Sequence, residues 1–175
     1  MNDQGSRFWK IFFEVYESLP RQGPGNRACA ERALRLCVGL PRAPMIADLG
    51  CGVGGQTLHL AELTTGSIIA VDSHAPSIER LRATLAARGL SRRVQAQLGD
   101  MAHLDLPVES YDLVWSEGAL YNLGIGKALR LCHGLLRPGG FLAFTDAVWR
   151  KQNPPPEVKA GFDWDYPTMG TATDV

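Results

Sequence analysis

The apolar positions of this chain follow two alternating patterns, short runs of strand length and longer segments with helical spacing. The short runs lie at residues 45–49, 67–71, 93–98, 111–115 and 141–147. Segments with helical spacing lie between them, at residues 56–63, 76–88 and 119–136, the last containing a glycine-rich irregularity. Strands that alternate with helices form βαβ units and a parallel sheet covered on both faces. We therefore predict a doubly wound α/β domain.

Two further helices are predicted before the first strand. Residues 8–19 place apolar side chains on one face, and the Pro- and Gly-rich residues 20–25 form a loop. Asn26 is then a suitable N-cap for a helix over Arg27–Val38. We divide the chain into an N-terminal helical cap or lid (1–44), a ligand-binding core (45–150) and a partial C-terminal segment (151–175), all within one structural domain. Residues 168–175 show no pattern of regular structure.

The residues after the first strand form a glycine-rich turn, in which Asp48 precedes glycines at 50, 52, 54 and 55. A strand, a tight glycine turn and a helix start let the backbone approach a nucleotide-like ligand closely. A dinucleotide fingerprint has the different spacing Gly-x-Gly-x-x-Gly and directs a helix N-terminus at a pyrophosphate. The acid before the first glycine would repel a pyrophosphate, and it suits a cationic ligand.

Polar residues follow every predicted strand. In an open parallel sheet, the ligand lies outside the carboxyl ends of the strands. Each acid taken singly is also consistent with an ordinary turn residue. Their convergence predicts one binding site, built from the residues at the five strand ends: Asp48, Asp72, Asp100, Ser116 with Glu117, and Asp146.

Composition and charge narrow the classes of function. The content of 45% hydrophobic and 21% charged residues is that of an ordinary globular protein. Because 18 basic residues balance 18 acidic ones, no net charge favours nucleic acid or a membrane surface as a partner. The four cysteines form no Cys-x-x-Cys pair, so we expect reduced thiols and no metal site. The N-terminus lacks signal-peptide features, and we expect a cytoplasmic protein.

The glycine turn, with Asp48, Asp72 and Asp100, resembles that of the class I methyltransferases dependent on S-adenosylmethionine (SAM). The resemblance implies a Rossmann-like methyltransferase fold, SAM as cofactor and S-adenosylhomocysteine as product. Residues 20–25 and 115–122 are similar to those of bacterial small-molecule methyltransferases related to the ubiquinone/menaquinone-biosynthesis type. This similarity extends from about residue 8 to about residue 167.

The resemblance also assigns roles in binding SAM. It places Asp72 at the ribose hydroxyls, and Asp100 at the adenine amino group with Met101 on the ring face. It places Asp48 and Ser116 near the methionine end. Further predicted cofactor residues are Gly50, Cys51, Gly52, Gly54, Gln56, Thr57, Ser73 and Glu117, with Arg21, Gln22 and Gly23 as a lid. The alternative for the lid is a linker whose glycines and prolines serve only geometry.

The implied reaction is in-line methyl transfer to a small-molecule acceptor. Glu117 is the first choice as a general base or substrate anchor, and Tyr121 is the second. Glu117 alternatively binds the cofactor ammonium or caps the next helix. Asn122, Asp146 and Trp149 are predicted to face the acceptor, whereas the Cys51 side chain is expected to pack rather than react.

The chain departs from the family pattern after the fifth strand, where members usually continue with a helix and a reversed β-hairpin. We therefore expect an open edge at strand five, an incomplete acceptor pocket and a tendency to form a homodimer. The alternative function is a SAM-binding protein without turnover. An NAD-dependent oxidoreductase is disfavoured by the glycine spacing and by Gly99-Asp100.

Overall fold

The protein contains a single parallel sheet whose strand order reverses beside its first strand. The computed structural model describes residues 3–174, and only the backbone of residues 3–6 and 9. The strands are paired in the order β3-β2-β1-β4-β5, with every pair parallel. The predicted doubly wound sheet is confirmed. The strands are β1 (Met45–Leu49), β2 (Ser67–Asp72), β3 (Val94–Leu98), β4 (Tyr111–Glu117) and β5 (Leu136–Thr145).

Helices connect these strands and precede the first of them. Asn26 caps α2 as predicted, with its Oδ1 accepting a hydrogen bond from the Cys29 amide at 3.0 Å. The predicted helix over 119–136 is broken, because Gly124 adopts a φ of +79° between a 3₁₀ turn (Leu120–Leu123) and α5. The helices are α1 (Asp3–Ser18), α2 (Arg27–Leu36), α3 (Gly55–Leu63), α4 (Ala75–Ala87), α5 (Ile125–Leu135) and α6 (Pro156–Asp163).

The sheet buries apolar side chains on both of its faces. Ile46 of β1 belongs to a cluster with Leu60 of α3 and Leu81 of α4. Leu49 of the same strand belongs to the opposite cluster, with Cys132 of α5. Because side chains alternate between faces and both faces are covered, the strands read as continuous apolar runs in the sequence.

Strand β5 begins earlier than predicted. The sequence predicts a turn at 137–140 followed by a strand over 141–147, whereas the observed strand covers Leu136–Thr145. Tyr111 pairs with Leu136 and Leu113 pairs with Phe141, so two steps along β4 face five along β5. Residues 137–140 thus form a large bulge, which Gly139 makes possible with a φ of +81°.

The C-terminal segment is ordered where the sequence shows no regular pattern. Helix α6 follows the prolines at 154 and 155, and Tyr166 and Met169 are buried. Trp149 and Thr171 form an isolated parallel bridge. In residues 3–174, no helix combines the length and the apolar character that crossing a membrane requires. The segment therefore packs onto the domain rather than extending from it.

Candidate functional site

A cavity of about 710 Å³ lies at the carboxyl ends of the central strands. Its floor is the glycine turn and the ends of β2 and β4, and its roof comes from α1 and the C-terminal segment. This is the crevice in which open α/β sheets bind ligands.

The glycine turn contains three backbone conformations that favour glycine. Gly50, Gly52 and Gly54 have φ angles of +73°, +53° and +85°. A Cβ at Gly50 would lie 2.3 Å from the Cβ of Ala119, so the backbone here approaches the loop after β4 directly. The turn is also tied to β2, because the Gly52 amide donates to Asp72 Oδ2 at 2.8 Å.

Asp72 and Asp100 line the cavity at its predicted nucleoside end. Asp72 Oδ1 also accepts from the His74 amide at 2.8 Å, so backbone donors fix both oxygens while lone pairs remain for a ligand. Asp100 Oδ1 accepts from the Ala102 amide, which holds the pKa of that carboxyl below its usual range. The predicted cofactor residues that line the cavity are Gln22, Gly23, Gly50, Cys51, Gly52, Gln56, Asp72, Ser73, Asp100, Met101 and Glu117.

Four other predicted cofactor residues lie behind the cavity wall. Asp48 is fully buried, and its Oδ2 accepts from the Thr57 hydroxyl at 2.6 Å. Burial raises the pKa of Asp48 to about 7, although the Thr57 bond opposes the shift. Ser116 is buried and donates to the Leu49 carbonyl at 2.7 Å, while Gly54 precedes α3 above Leu81. These four residues do not line the cavity, and their role in binding the cofactor stays a prediction. The Thr57 bond to Asp48 joins α3 to β1, and the Ser116 bond to Leu49 joins β4 to β1.

The loop between α1 and α2 is hydrogen-bonded to the glycine turn. Gln22 Oε1 accepts from the Val53 amide at 3.2 Å, and its Nε2 donates to the Tyr16 carbonyl at 3.1 Å. Gln22 and Gly23 line the cavity, as the lid interpretation requires. Arg21 is not among the lining residues. It reaches the site through a salt bridge from its Nη2 to Glu117 Oε2.

Both oxygens of Glu117 are engaged by donors. Oε2 pairs with Arg21, and Oε1 accepts from the Trp115 indole at 3.0 Å. Taking a proton would weaken both contacts, since each of them needs an accepting oxygen. The two contacts hold the carboxylate at the cavity wall, and its predicted roles as general base, as substrate anchor or as a partner of the cofactor ammonium stay predictions.

Tyr121 lines the cavity, and its hydroxyl donates to Asp165 Oδ2 at 3.3 Å. Burial and the Asp165 carboxylate raise the pKa of Tyr121, so the phenol keeps its proton. The hydroxyl thus donates to Asp165 in this structure, and the role of Tyr121 as a second candidate base stays a prediction.

The predicted acceptor residues separate into two groups. Asn122 lines the cavity. Asp146 and Trp149 do not. Asp146 Oδ2 accepts from the Tyr166 hydroxyl at 2.7 Å, which ties the C-terminal segment to the end of β5.

Sequence reasoning missed the aromatic roof of the cavity. The sequence predicts that residues 1–44 form a helical cap over the site, but not which aromatic side chains of α1 line the cavity. The segment 162–166 carries aromatic and acidic residues with no periodicity that would place them. His74, two residues after Asp72, is predicted from the sequence to lie beside the adenosine, and it lines the cavity. The missed lining residues include Phe8, Phe12, Phe13, Tyr16, Phe162, Trp164 and Asp165.

Comparisons with known proteins agree with this geometry. The family model described as a methyltransferase domain matches residues 46–140. Dimethylglycine N-methyltransferase of Parasynechococcus marenigrum is 32% identical over 110 residues, covering 62% of this chain and 39% of that protein. Methyltransferase GfsG of Streptomyces halstedii is 32% identical over 106 residues, covering 60% of this chain and 38% of that protein. The chain thus spans about two fifths of the length of these curated relatives.

The fold recurs in a solved structure of a SAM-dependent methyltransferase from Geobacter sulfurreducens in complex with S-adenosyl-L-homocysteine. The TM-score is 0.79 at 18% identity, covering 94% of this chain and 66% of that one.

Proposed function

Because this chain belongs to the methyltransferase domain family, we propose that it binds SAM in the cavity and methylates a small molecule. The observation that carries the proposal is the glycine turn held against Asp72. Its backbone is open to close approach, and the Asp72 carboxylate is fixed at the cavity floor. The turn lacks the Gly-x-Gly-x-x-Gly spacing that binds a pyrophosphate. It therefore suits an adenosyl ligand that carries positive charge.

The residues present fit SAM. Asp72 would accept from the ribose hydroxyls, and Asp100 with Met101 would hold the adenine. Gln22 and the glycine turn would hold the methionine part, close to Glu117. Bound SAM supplies a methyl group on a sulfonium, which is itself a good leaving group.

The contribution of the protein to the reaction is alignment and exclusion of water. The roof from α1 and the C-terminal segment shields the cavity, and the ring of Tyr121, whose hydroxyl donates to Asp165, would position the acceptor by packing. With SAM held by the glycine turn and Asp72, the protein would align a lone pair of the acceptor with the methyl carbon, opposite the sulfur that would leave with the bonding electron pair. An acceptor that carries a proton would need a base, for which Glu117 is the first candidate, because its carboxylate lines the cavity and keeps lone pairs beyond those shared with Arg21 and Trp115.

A thermal-shift comparison of SAM, S-adenosylhomocysteine and NAD tests the cofactor. A ligand at about 100 times its Kd stabilises the native state by about 2.7 kcal/mol, so both adenosyl ligands should raise Tm and NAD should not. Asp72→Asn keeps an acceptor for the Gly52 amide and should remove most of the shift. Asp105→Asn, at an exposed position outside the cavity lining, is the control. A shift with NAD alone would overturn the cofactor.

Turnover is tested separately from binding. Release of S-adenosylhomocysteine in the presence of an acceptor panel supports the enzyme. Binding of SAM by calorimetry without release from any acceptor would favour the alternative, a SAM-binding protein.

Four finer features complete the proposal. The motif at 115–122 supports the subgroup related to the ubiquinone/menaquinone-biosynthesis type. We propose the cytoplasm as the location of the protein. The balanced charge supports a small-molecule acceptor over nucleic acid. A homodimer is supported by β5, which among the described strands pairs only with β4 and lies at a sheet edge. Light scattering that gives a monomer mass at high concentration would refute the dimer.

A further inference from the structure

The imidazole of His74 joins the roof helix α1 to the start of α4. His74 follows β2 and occupies the N-cap position of α4. Its ring lies parallel to that of Phe13 on α1, with an angle of 2° between the planes and centroids 4.3 Å apart. Both rings line the cavity. The residue is therefore placed where the roof meets the wall of the cavity.

Polar contacts hold the His74 ring from both helices. Nδ1 lies 3.1 Å from the hydroxyl of Ser77, a buried residue of α4. Nε2 lies 3.2 Å from Glu17 Oε1 on α1. Arg80 of α4 donates to the Glu17 carbonyl beside them. Because Ser77 fixes the ring from α4, the stacked face and the opposite nitrogen are both directed at α1.

The exposure of these groups decides which contact with α1 is worth more. The side chain of His74 is 23% exposed, and that of Glu17 is 42% exposed. An ionic contact to such an exposed carboxylate contributes little, because water screens it. The stacked rings of His74 and Phe13 are an aromatic pair, which contributes beyond its buried area. We therefore expect the stack to hold α1 more strongly than the Glu17 contact does.

The backbone of His74 connects the same contact to the floor of the cavity. Its amide donates to Asp72 Oδ1 at 2.8 Å, and the other oxygen of that carboxylate accepts from the Gly52 amide at 2.8 Å. The carboxylate proposed to bind the ribose and the ring that holds the roof are thus two residues apart. The position of the roof and the orientation of Asp72 depend on one short segment.

We propose that His74 is a positioning residue that latches α1 over the bound cofactor, and that separation of its ring from Phe13 and Glu17 lets the cofactor leave. This inference rests on the proposed function and adds to it the step that controls cofactor exchange at the same site. Because dissociation requires an open roof, its rate follows the fraction of molecules in which the latch is open.

Dissociation of S-adenosylhomocysteine from the intact chain, followed by stopped flow, measures the latch. His74→Ala should speed dissociation about tenfold, because an aromatic pair and a polar contact are lost. Glu17→Ala should speed it by no more than about threefold. His133→Ala, at an exposed position of α5 outside the cavity lining, should leave the rate unchanged. An unchanged rate in His74→Ala would overturn the inference.

Two further variants show whether the residues act together. Glu17 contacts the roof latch through the His74 ring, so the double variant His74→Ala with Glu17→Ala should dissociate no faster than His74→Ala alone. His74→Phe keeps a ring against Phe13 and should restore most of the slow dissociation. Full additivity of the two alanine changes, or a phenylalanine variant as fast as the alanine one, would refute the latch.

Hydrogen exchange without ligand separates the latch from direct contact of the His74 ring with the cofactor. In the ligand-free protein, His74→Ala should speed amide exchange in α1 by about the factor by which it speeds dissociation, and should leave α5 unchanged. Faster dissociation with unchanged exchange in α1 would assign the ring to cofactor contact and refute the latch. Faster exchange over the whole chain would show a loss of global stability and would refute it as well.

The same measurements distinguish this inference from the proposed function. If S-adenosylhomocysteine does not bind the unmodified protein, the cofactor assignment fails, while exchange in α1 of the ligand-free variants still decides whether the latch exists. If S-adenosylhomocysteine binds and neither its dissociation nor exchange in α1 depends on His74, only the latch is refuted.

Discussion

Arg21 and Glu117 join two parts of the site that are 96 residues apart in the chain. Their side chains are only 17% and 7% exposed, and Glu117 also accepts from Trp115. The pair fixes the loop between α1 and α2, the predicted lid, to the end of β4. Arg21 itself does not line the cavity.

Loss of Arg21 should destabilise the protein and weaken SAM binding together. In Arg21→Ala the Glu117 carboxylate stays largely buried with one donor fewer, which we expect to cost about 1–3 kcal/mol of unfolding free energy. Urea denaturation measures the stability, and calorimetry measures the affinity.

A double variant separates the cost of an unpaired Glu117 charge from the loss of the Arg21–Glu117 contact itself. Arg21→Ala with Glu117→Gln removes the stranded charge and should recover part of the lost stability, since neighbouring substitutions are not additive. Strict additivity of the two single changes would show that the pair is not coupled.

Asp48 makes stability depend on pH. With a native pKa of about 7, it holds a proton that the unfolded chain releases near pH 4. The native state thus binds more protons in this window, and the free energy of unfolding falls as pH rises through it. Asp48→Asn should remove that slope and, near neutral pH and above, should stabilise the protein by about 1–4 kcal/mol.

The measurement compares urea midpoints of Asp48→Asn and the unmodified protein at about pH 5 and about pH 8, so that other titrating groups cancel. A stability difference between the two proteins that does not change with pH would contradict the assigned burial of an ionisable Asp48.

At the scale of single residues, the sequence predicted which residue types gather at the strand ends but not which of them face the cavity. Asp72 and Asp48 both sit at strand ends, yet one lines the cavity and the other lies beneath it. The difference depends on the neighbouring Thr57 and on helix α3 covering Asp48, contacts that no local pattern encodes.

At the scale of elements, the glycine turn and helix α3 depend on close packing with α4. Gly54 has a φ of +85°, and a Cβ there would lie 2.2 Å from Leu81 Cδ1, a fully buried side chain. Gly89, after α4, has a φ of +67°, but a Cβ at that position would meet no atom within 4 Å. The two glycines therefore share the backbone requirement and differ in packing.

Substitution of these two glycines should separate the conformational cost from the steric one. Gly89→Ala should lose about 1 kcal/mol, from the left-handed backbone alone. Gly54→Ala should lose about 2–4 kcal/mol, because Leu81 must also move. Denaturant midpoints measure both losses, and equal losses would refute the packing contribution.

Elements with strong periodicity were predictable, and those fixed by distant contacts were not. The buried strands and α2 follow their apolar patterns and caps. The bulge at 137–140 depends on pairing with Tyr111, and α6 depends on packing against the rest of the domain. A helix of eight residues has little stability of its own, so its sequence signal is weak.

At the scale of the whole molecule, α1 crosses the cavity from one side to the other. Near its end, Phe13 stacks on His74 at 4.3 Å and Glu17 contacts the same imidazole at 3.2 Å. Near its beginning, Phe8 meets Trp164. The roof is therefore held by contacts near both ends of α1.

Ligand binding should protect this roof from hydrogen exchange. We expect S-adenosylhomocysteine to slow amide exchange in α1 and in the lid loop, because local opening would expose the ligand. Helix α2, which packs outside the cavity, should not change. Uniform slowing over the whole chain would indicate global stabilisation instead of closure of the roof.

The two-sided support of α1 has a kinetic consequence. In the proposed reaction the acceptor would lie between the cofactor at the glycine turn and the roof, so SAM would have to bind first and S-adenosylhomocysteine would have to leave last. Steady-state kinetics should follow a compulsory order, with S-adenosylhomocysteine competitive against SAM and noncompetitive against the acceptor.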